Sequence, residues 1–404
     1  MSIPGEVDSN HAIEDLYTRL YTAVCRLLSG RSNQVAWAAF SERDWITLGK
    51  LAEEQGVAPL LHWHFKQNGL PESAPLALRD LVKSAYYQSA AQNALLQREL
   101  GLLLNALEEA GIPVIALKGA HLAIALYPEI ALRPMNDLDL LVHEADFDRA
   151  RQALASIGYT LPFPVLSQQA TRQVGFELYL SKPGENIPGV ELHWGLVASQ
   201  QDRRAASVSW FWDNSELFSS LNRQPDGHSL VRALTPTSNL LYLCGHLFLE
   251  HGASERLLWL YDIYLLLTHC AQRIDWELLI NKADEFGWMQ PLANGLWAAQ
   301  HDLAAPLPEG LLEEVRSRHP GLTLPERGVY LPLPHHAQAT WNALSNLRWG
   351  ARLRMGLAVL FPSPAHLRWR YQPNPPWLLP LYYPVKWAGM IRDGARLLWD
   401  CIWG

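Results

Sequence analysis

The sequence is poor in cysteine and has no excess of positive charge. Its 404 residues include four cysteines and carry a formal net charge of −7. The cysteines are far apart and form no CxxC pair, which predicts reduced thiols and argues against a structural zinc site. They are Cys25, Cys244, Cys270 and Cys401. Because there is no general basic field, long nucleic acid is not expected as a partner.

Long apolar runs are also missing. No stretch is apolar for the roughly 18 residues that a membrane-spanning helix needs, so none is predicted. The first residues, MSIPGEVDSNHAIEDL, are polar and acidic, unlike a secretory signal peptide. We therefore expect a cytoplasmic protein. The chain is long enough for two or three domains with a large core.

The spacing of apolar residues divides the chain into four parts. Residues 1–110 repeat apolar positions every three or four residues, which predicts an N-terminal helical region. Strand and helix patterns alternate over 111–200, and helical patterns return over 201–330. Residues 331–404 form a tail rich in tryptophan, tyrosine and arginine. The expected fold class is α+β, a small mixed-sheet core embedded between helical regions.

Four strands are predicted in the central part. IPVIALKG (112–119) and NDLDLLV (136–142) are short apolar runs of β type. VGFELYLS (174–181) and GVELHWGL (189–196) are joined by the turn sequence KPGENIP, which favours a hairpin. An amphipathic helix, ADFDRARQALASIGY, is predicted at 145–159.

Two aspartates lie two residues apart in the second predicted strand. Side chains at i and i+2 point to the same face of a strand, so Asp137 and Asp139 project side by side. Like charges at this distance repel each other, and partial burial increases the repulsion. A divalent cation between them would remove the conflict, and hard oxygen ligands suit Mg²⁺ or Mn²⁺. Taken alone, such a pair is more often a strand end that faces water.

A third carboxylate lies in the last predicted strand. Glu191 has an apolar residue on either side, and His193 shares its face. An adjacent antiparallel or mixed strand would bring Glu191 beside the aspartates, as in sites for phosphoryl or nucleotidyl transfer. The alternatives are a solvent-facing Glu191 and a structural His193.

Candidate phosphate-binding residues lie upstream. Lys118 and Gly119 follow a strand and open a helix, where the backbone and the helix N-terminus favour an anion. Arg133 precedes the aspartates and is suited to neutralise phosphate charge. The alternative for Arg133 is an ion pair with Glu129.

Together these motifs carry a family resemblance. ALKGAHLAIALYPEIALRPMNDLDLLV, the helix that follows and the later VELHW resemble the uncharacterised nucleotidyltransferase family of the DNA polymerase beta superfamily. That superfamily has a glycine turn, a helix, a strand with two acidic residues and a third acidic residue on a later strand. The resemblance covers roughly residues 15 to 300 and implies a polymerase-beta-like nucleotidyltransferase core.

The resemblance also implies an activity and its residues. The expected enzyme moves a nucleoside monophosphate from an NTP to an acceptor with the help of Mg²⁺ or Mn²⁺. Asp137, Asp139 and Glu191 would be catalytic and hold the metal, while Lys118, Gly119, Arg133 and His193 would bind the nucleotide. Family members occur in bacterial biosynthetic clusters, and the acceptor would be a small molecule, a peptide or a protein.

One residue departs from the superfamily pattern. The turn continues with Ala120, so no serine hydroxyl is available to contact a phosphate. This leaves open a second interpretation, a non-catalytic nucleotide-binding or assembly protein of a biosynthetic cluster. The length of the chain argues against a third, an antitoxin-like nucleotidyltransferase.

Charged residues also occur in the apolar helical part. His246, Glu250 and His251 do not have HExxH spacing, so zinc is not predicted. We expect His246, Arg256 and Asp262 to line the cleft or to stabilise the helical domain. Asp262 lies within LLWLYDIYLLL and needs a partner, which Arg256 is badly placed to provide.

The tail mixes aromatic and basic residues. Residues 385–403 have the pattern of an amphipathic helix, with Trp387, Ile391, Leu398 and Trp399 near one side. One interpretation is that this helix docks on the body of the protein. The other is that residues 365–404 contact a protein partner or the inner face of a membrane, as a peripheral protein does.

Overall fold

The computed structural model describes residues 4–165, 167, 171–172, 175–185, 187–197, 207–218, 231–250, 257–324, 349–390 and 392. The protein has an α+β fold, as predicted, and its described residues include a mixed sheet of six strands among helices. In the described part of the chain, no helix combines the length and apolar character needed to cross a membrane. Cys25, Cys244 and Cys270 are free thiols, in agreement with the sequence, and Cys401 lies outside the described residues.

The helices form three groups along the chain. Those before the sheet are α1 (Pro4–Leu28), α2 (Glu42–Glu54), α3 (Ala58–Asn68) and α4 (Leu76–Glu109). Those between strands are α5 (Lys118–Ala125), α6 (Phe147–Ser156) and α7 (Val208–Asp213). After the sheet come α8 (Pro236–Gly245), a π-helical turn (His246–Glu250), α9 (Leu257–Cys270), α10 (Trp276–Phe286), α11 (Met289–Leu303), α12 (Leu311–Arg318), α13 (Trp349–Leu360) and α14 (Pro364–Tyr371).

The strands are β1 (Val114–Ala116), β2 (Asp137–Leu141), β3 (Glu177–Leu180), β4 (Gly189–His193), β5 (Ser215–Leu217) and β6 (Val231–Leu234). Their order in the sheet is β3-β4-β2-β1-β6-β5. The pairs β2–β4 and β1–β6 are parallel, and the other three are antiparallel. The predicted hairpin is therefore confirmed as β3–β4. The pair β5–β6 was not predicted, and it extends the sheet beyond residue 200.

The sheet is covered differently on its two faces. Leu138 and Leu140 of β2 point to one face and share a buried core with Leu100 and Leu103 of α4. The long helix α4 therefore packs on the sheet, although its sequence belongs to the N-terminal helical region. On the other face, Leu141 joins a larger core formed by the helices before and after the sheet. This second face is apolar at one end and polar at the other.

The tail contacts the loop that follows α6. The Ser363 hydroxyl donates to the carbonyl of Val165 at 3.0 Å, and Nδ1 of His366 lies 3.0 Å from the carbonyl oxygen of Pro164. Trp387 donates from Nε1 to the carbonyl of Leu360, so it packs within the tail. Of the predicted amphipathic helix, residues 391 and 393–403 lie outside the described residues.

Candidate active site

The polar end of the sheet is built by the parallel pair β2–β4. The register places Asp139 directly beside Glu191, which confirms that a neighbouring strand brings this glutamate to the aspartates. Since alternate residues of a strand share a face, Asp137 and His193 lie on the same face of the sheet as Asp139 and Glu191. Asp139 and His193 are buried, while Asp137 and Glu191 are half-buried.

Three side chains of this face are close enough to share a metal ion. One ligand atom each from Asp139, Glu191 and His193 lies within 4.8 Å of the others. Nε2 of His193 is 3.1 Å from Oδ1 of Asp139 and 3.7 Å from Oε2 of Glu191. Such spacings suit a cation bound at about 2.0–2.6 Å from each ligand. The donor set therefore fits a divalent cation.

Lys118 enters this cluster from the start of α5. Its backbone has a φ of 40°, a left-handed conformation that is costly for a residue with a side chain. Its Nζ donates to Oδ1 of Asp139 at 2.8 Å and lies 3.9 Å from Oε2 of Glu191. The ammonium group thus lies among the carboxylates, at the turn where the sequence predicted phosphate binding.

A fourth carboxylate, Glu177, was missed by the sequence analysis. The antiparallel register of β3 and β4 pairs Glu177 with His193. Its Oε2 lies 3.4 Å from Nδ1 of His193, at a geometry that does not make a hydrogen bond. The strand and hairpin containing Glu177 were predicted, but only the register shows that it joins the acidic face.

Crowding of carboxylates changes their protonation. Burial, followed by the charges of Asp139 and Glu191, raises the pKa of Asp137 to about 7. Burial is also the largest cause that raises the pKa of Glu177 to about 7. Near neutral pH both groups therefore hold a proton part of the time. Negative charge is in excess on this face, and a divalent cation would compensate for it.

The two central groups, by contrast, remain charged. Burial alone would raise the pKa of Asp139, but the Lys118 charge and the hydrogen bond with His193 hold it well below its ordinary value. Burial would lower the pKa of His193, yet its hydrogen bond with Asp139 and the nearby Glu191 carboxylate raise it to about 9. Asp139 is therefore an ionised carboxylate held between two cations.

These groups line a cavity of about 230 Å³ between the sheet and the helices after it. The wall opposite the sheet comes from the π-helical turn and α9. The lining residues are Lys118, Gly119, Arg133, Pro134, Met135, Asn136, Asp137, Asp139, Phe176, Glu177, Glu191, His246, Glu250, Leu258 and Trp259. His246, which was expected to line the cleft or to stabilise the helical domain, lines the cavity, whereas His251 and Arg256 lie outside the described residues.

Arg133 forms a buried ion pair with Asp262. Its Nε and Nη2 donate to the two carboxylate oxygens, at 3.0 Å to Oδ1 and 2.7 Å to Oδ2. The Tyr127 hydroxyl donates to Oδ1 of Asp262 at 2.7 Å. The partner of Asp262 thus comes from another element, as expected. The alternative pairing of Arg133 with Glu129 is wrong, since Glu129 accepts a hydrogen bond from Tyr86 instead.

The glycine of the turn is required by close packing. A Cβ on Gly119 would lie 2.5 Å from Nη1 of Arg133 and 2.6 Å from Sδ of Met135. Ala120, next along the chain, is 1% exposed and belongs to the core under the sheet. A serine hydroxyl at position 120 would therefore face the core, and its absence takes no phosphate contact away.

Sheet, turn and acidic face together are those expected of a nucleotidyltransferase. The chain belongs to the family described as uncharacterised nucleotidyltransferase, whose model matches residues 41–304. Searches of curated proteins and of solved structures each gave no significant match. The matched region begins just before α2 and ends after α11, so it includes the whole sheet and the cavity.

Proposed function

We propose that this protein is a metal-dependent nucleotidyltransferase that moves a nucleoside monophosphate from an NTP to an acceptor. The observation that carries the proposal is the register that sets Asp139 beside Glu191 on the wall of a cavity. Asp137, one alternation away, faces the same space. Three carboxylates of this kind are the means by which such enzymes hold a metal and a triphosphate.

The ion would be Mg²⁺ or Mn²⁺, held by Asp137, Asp139 and Glu191. When bound, it would neutralise the charge of the triphosphate and of the leaving pyrophosphate. His193 supports this set, because its raised pKa keeps it protonated and its Nε2 is bonded to Asp139. Mg²⁺ and Mn²⁺ prefer oxygen ligands, so the three carboxylates would ligate the ion, and the hydrogen bond from His193 would orient Asp139.

Two cationic side chains are placed for the phosphates. The Lys118 ammonium lies at the cavity wall beside the start of α5, where helix N-terminal amides favour an anion. Arg133 uses Nε and Nη2 for Asp262, and its Nη1 points to Gly119 without a hydrogen bond to any described residue. The ion pair with Asp262 thus fixes the guanidinium with one nitrogen directed to the turn.

The reaction is an in-line displacement at the α-phosphorus. An acceptor oxygen forms a bond to this phosphorus, while the bond to the oxygen that bridges to the β-phosphate breaks. Pyrophosphate leaves with that electron pair, and the acceptor proton passes to a carboxylate of the acidic face. Glu191 is the candidate base, since it lines the cavity and is half-buried.

We propose that the acceptor is a small molecule, a peptide or a protein that presents a hydroxyl or phosphate group. With a net charge of −7, the chain offers no general attraction for long nucleic acid. We place the reaction in a bacterial biosynthetic pathway in the cytoplasm.

One observation supports the alternative of a non-catalytic nucleotide-binding or assembly protein. The 2.8 Å ion pair between Lys118 and Asp139 engages a carboxylate that a metal would need. Buried Ala120, in contrast, no longer favours this alternative. Nucleotide binding that depends on a metal ion would favour the transferase over the non-catalytic protein.

Calorimetric titration with ATP, GTP, CTP and UTP tests the proposal. We expect one nucleotide to bind with Mg²⁺ and to bind at least tenfold more weakly with chelator or in Asp139→Asn. The matched control is Glu109→Gln, which removes an exposed carboxylate on α4. Equal binding with and without the metal would favour a non-catalytic nucleotide-binding protein. No binding by a folded protein would contradict the transfer reaction and favour an assembly protein.

A further inference from the structure

Among the described residues, exposed large apolar side chains are concentrated in the helices after residue 348. In the described part of the chain, nineteen large apolar side chains are exposed, and ten of these lie in 349–390. They are Trp349, Leu353, Leu357, Leu360, Phe361, Trp369, Trp377, Leu381, Val385 and Met390. Scattered apolar side chains are ordinary on a surface, but such a concentration marks an interaction site.

On α13 the exposed side chains form a continuous stripe. Trp349, Leu353, Leu357 and Leu360 follow each other at four, four and three residues, which places them on one side of the helix. Their side chains are 84%, 66%, 47% and 41% exposed. Ala358, on the opposite side of the helix, is 5% exposed. The helix is thus amphipathic, but its leucine side faces outward instead of toward the core.

Charge in this segment has one sign only. No aspartate or glutamate occurs between Glu326 and Asp393, in a chain whose net charge is −7. Over the same stretch as the apolar side chains lie six basic residues, Arg352, Arg354, Arg368, Arg370, Lys386 and Arg392. The two on α13 flank the stripe about 100° to either side of it, where arginine can reach lipid headgroups.

From this juxtaposition we infer that the segment 349–392 is a docking surface for an anionic lipid bilayer. Tryptophan and leucine on an outward helix face, bordered by arginine and free of acidic residues, match a helix lying in a membrane interface. A surface that binds a protein partner can carry charges of both signs. A surface that binds an anionic bilayer is weakened by every carboxylate, because the bilayer repels it. The inference goes beyond the proposed transfer reaction and does not depend on it.

Sedimentation with vesicles tests the surface on the full chain. We expect binding to vesicles that contain phosphatidylglycerol, weaker binding to pure phosphatidylcholine, and a decrease as salt is raised. Leu353→Glu/Leu357→Glu should abolish sedimentation. The matched control, Leu76→Glu/Leu102→Glu on α4, changes leucines of 65% and 40% exposure and should bind like the unmodified protein.

A second variant tests the basic border. Arg354→Gln/Arg368→Gln/Arg370→Gln should lower partitioning about a hundredfold, at about fivefold for each charge near an anionic surface. Absence of sedimentation by the unmodified protein would overturn the inference, as would equal loss in the α4 control. It would also be overturned if the unmodified protein were a dimer in light scattering and Leu353→Glu/Leu357→Glu a monomer, since the stripe would then join two copies.

Discussion

The buried ion pair between Arg133 and Asp262 links the stability of the fold to the Gly119 turn, which we propose binds phosphate. The side chains of the two residues are 6% and 2% exposed. Replacing Asp262 by asparagine preserves its size and leaves the guanidinium without an opposite charge. The Tyr127 hydroxyl, which donates to the same carboxylate, also loses a charged acceptor.

The expected loss of stability is large. Removal of one partner from a buried ion pair costs about 3–5 kcal/mol, mostly because the remaining charge stays buried. Asparagine retains one oxygen acceptor, so we expect about 3 kcal/mol for Asp262→Asn. The control is Glu216→Gln, which breaks a 2.7 Å pair with Arg273 whose side chains are 46% and 57% exposed. An exposed pair of this kind contributes less than about 1 kcal/mol.

Urea denaturation measures the stability of both variants, and titration with the nucleotide that binds the unmodified protein measures binding separately. Arg133→Met/Asp262→Leu should recover most of the stability, because apolar side chains often replace a buried pair without loss. It should nevertheless bind the nucleotide at least about tenfold more weakly, since a charged donor is missing. Equal, small losses in Asp262→Asn and Glu216→Gln would refute the reasoning, and so would full nucleotide affinity in the double variant.

Three further predictions concern the strand and the turn. The pKa of Asp137 is raised from 3.8 to about 7, so the folded protein favours the protonated carboxyl group. The ionised carboxylate therefore destabilises the fold, and this destabilisation grows between about pH 4 and pH 7. In the presence of a chelator, Asp137→Asn should therefore raise the free energy of unfolding at pH 8 by up to about 4 kcal/mol and change it little at pH 4, as measured by urea denaturation. Gly119→Ala should lower stability by about 1–3 kcal/mol in thermal unfolding, because the added methyl group would clash with the side chains of Arg133 and Met135. Ala120→Ser should lower the unfolding midpoint and leave nucleotide affinity unchanged, and a gain in affinity would show that position 120 faces the phosphates.

Local pattern was sufficient for the centre of the site. Alternation placed Asp137 and Asp139 on one face of a strand, and apolar neighbours identified the strand of Glu191. The turn sequence between the two later strands predicted their hairpin. Each of these features depends on residues close together in the sequence, where strand period and turn chemistry apply directly.

Features that depend on distant pairing were not predictable in this way. The strands β5 and β6 lie within residues 201–330, where the sequence pattern is predominantly helical. Glu177 joins the acidic face only through the register of β3 on β4. Asp262 clearly needed a partner, but its pairing with Arg133 spans 129 positions of the chain. Packing of the helices on the sheet decides such contacts.

Transfer of label from an α-³²P nucleotide tests the central claim most directly. The protein would be incubated with Mg²⁺, the nucleotide that binds, and an extract of the organism that encodes it, after nucleic acids are removed. We expect a new labelled product and an equal amount of released pyrophosphate, both absent with Asp139→Asn and present with Glu109→Gln. Label that stays in the nucleotide, or a product that Asp139→Asn forms equally well, would contradict it.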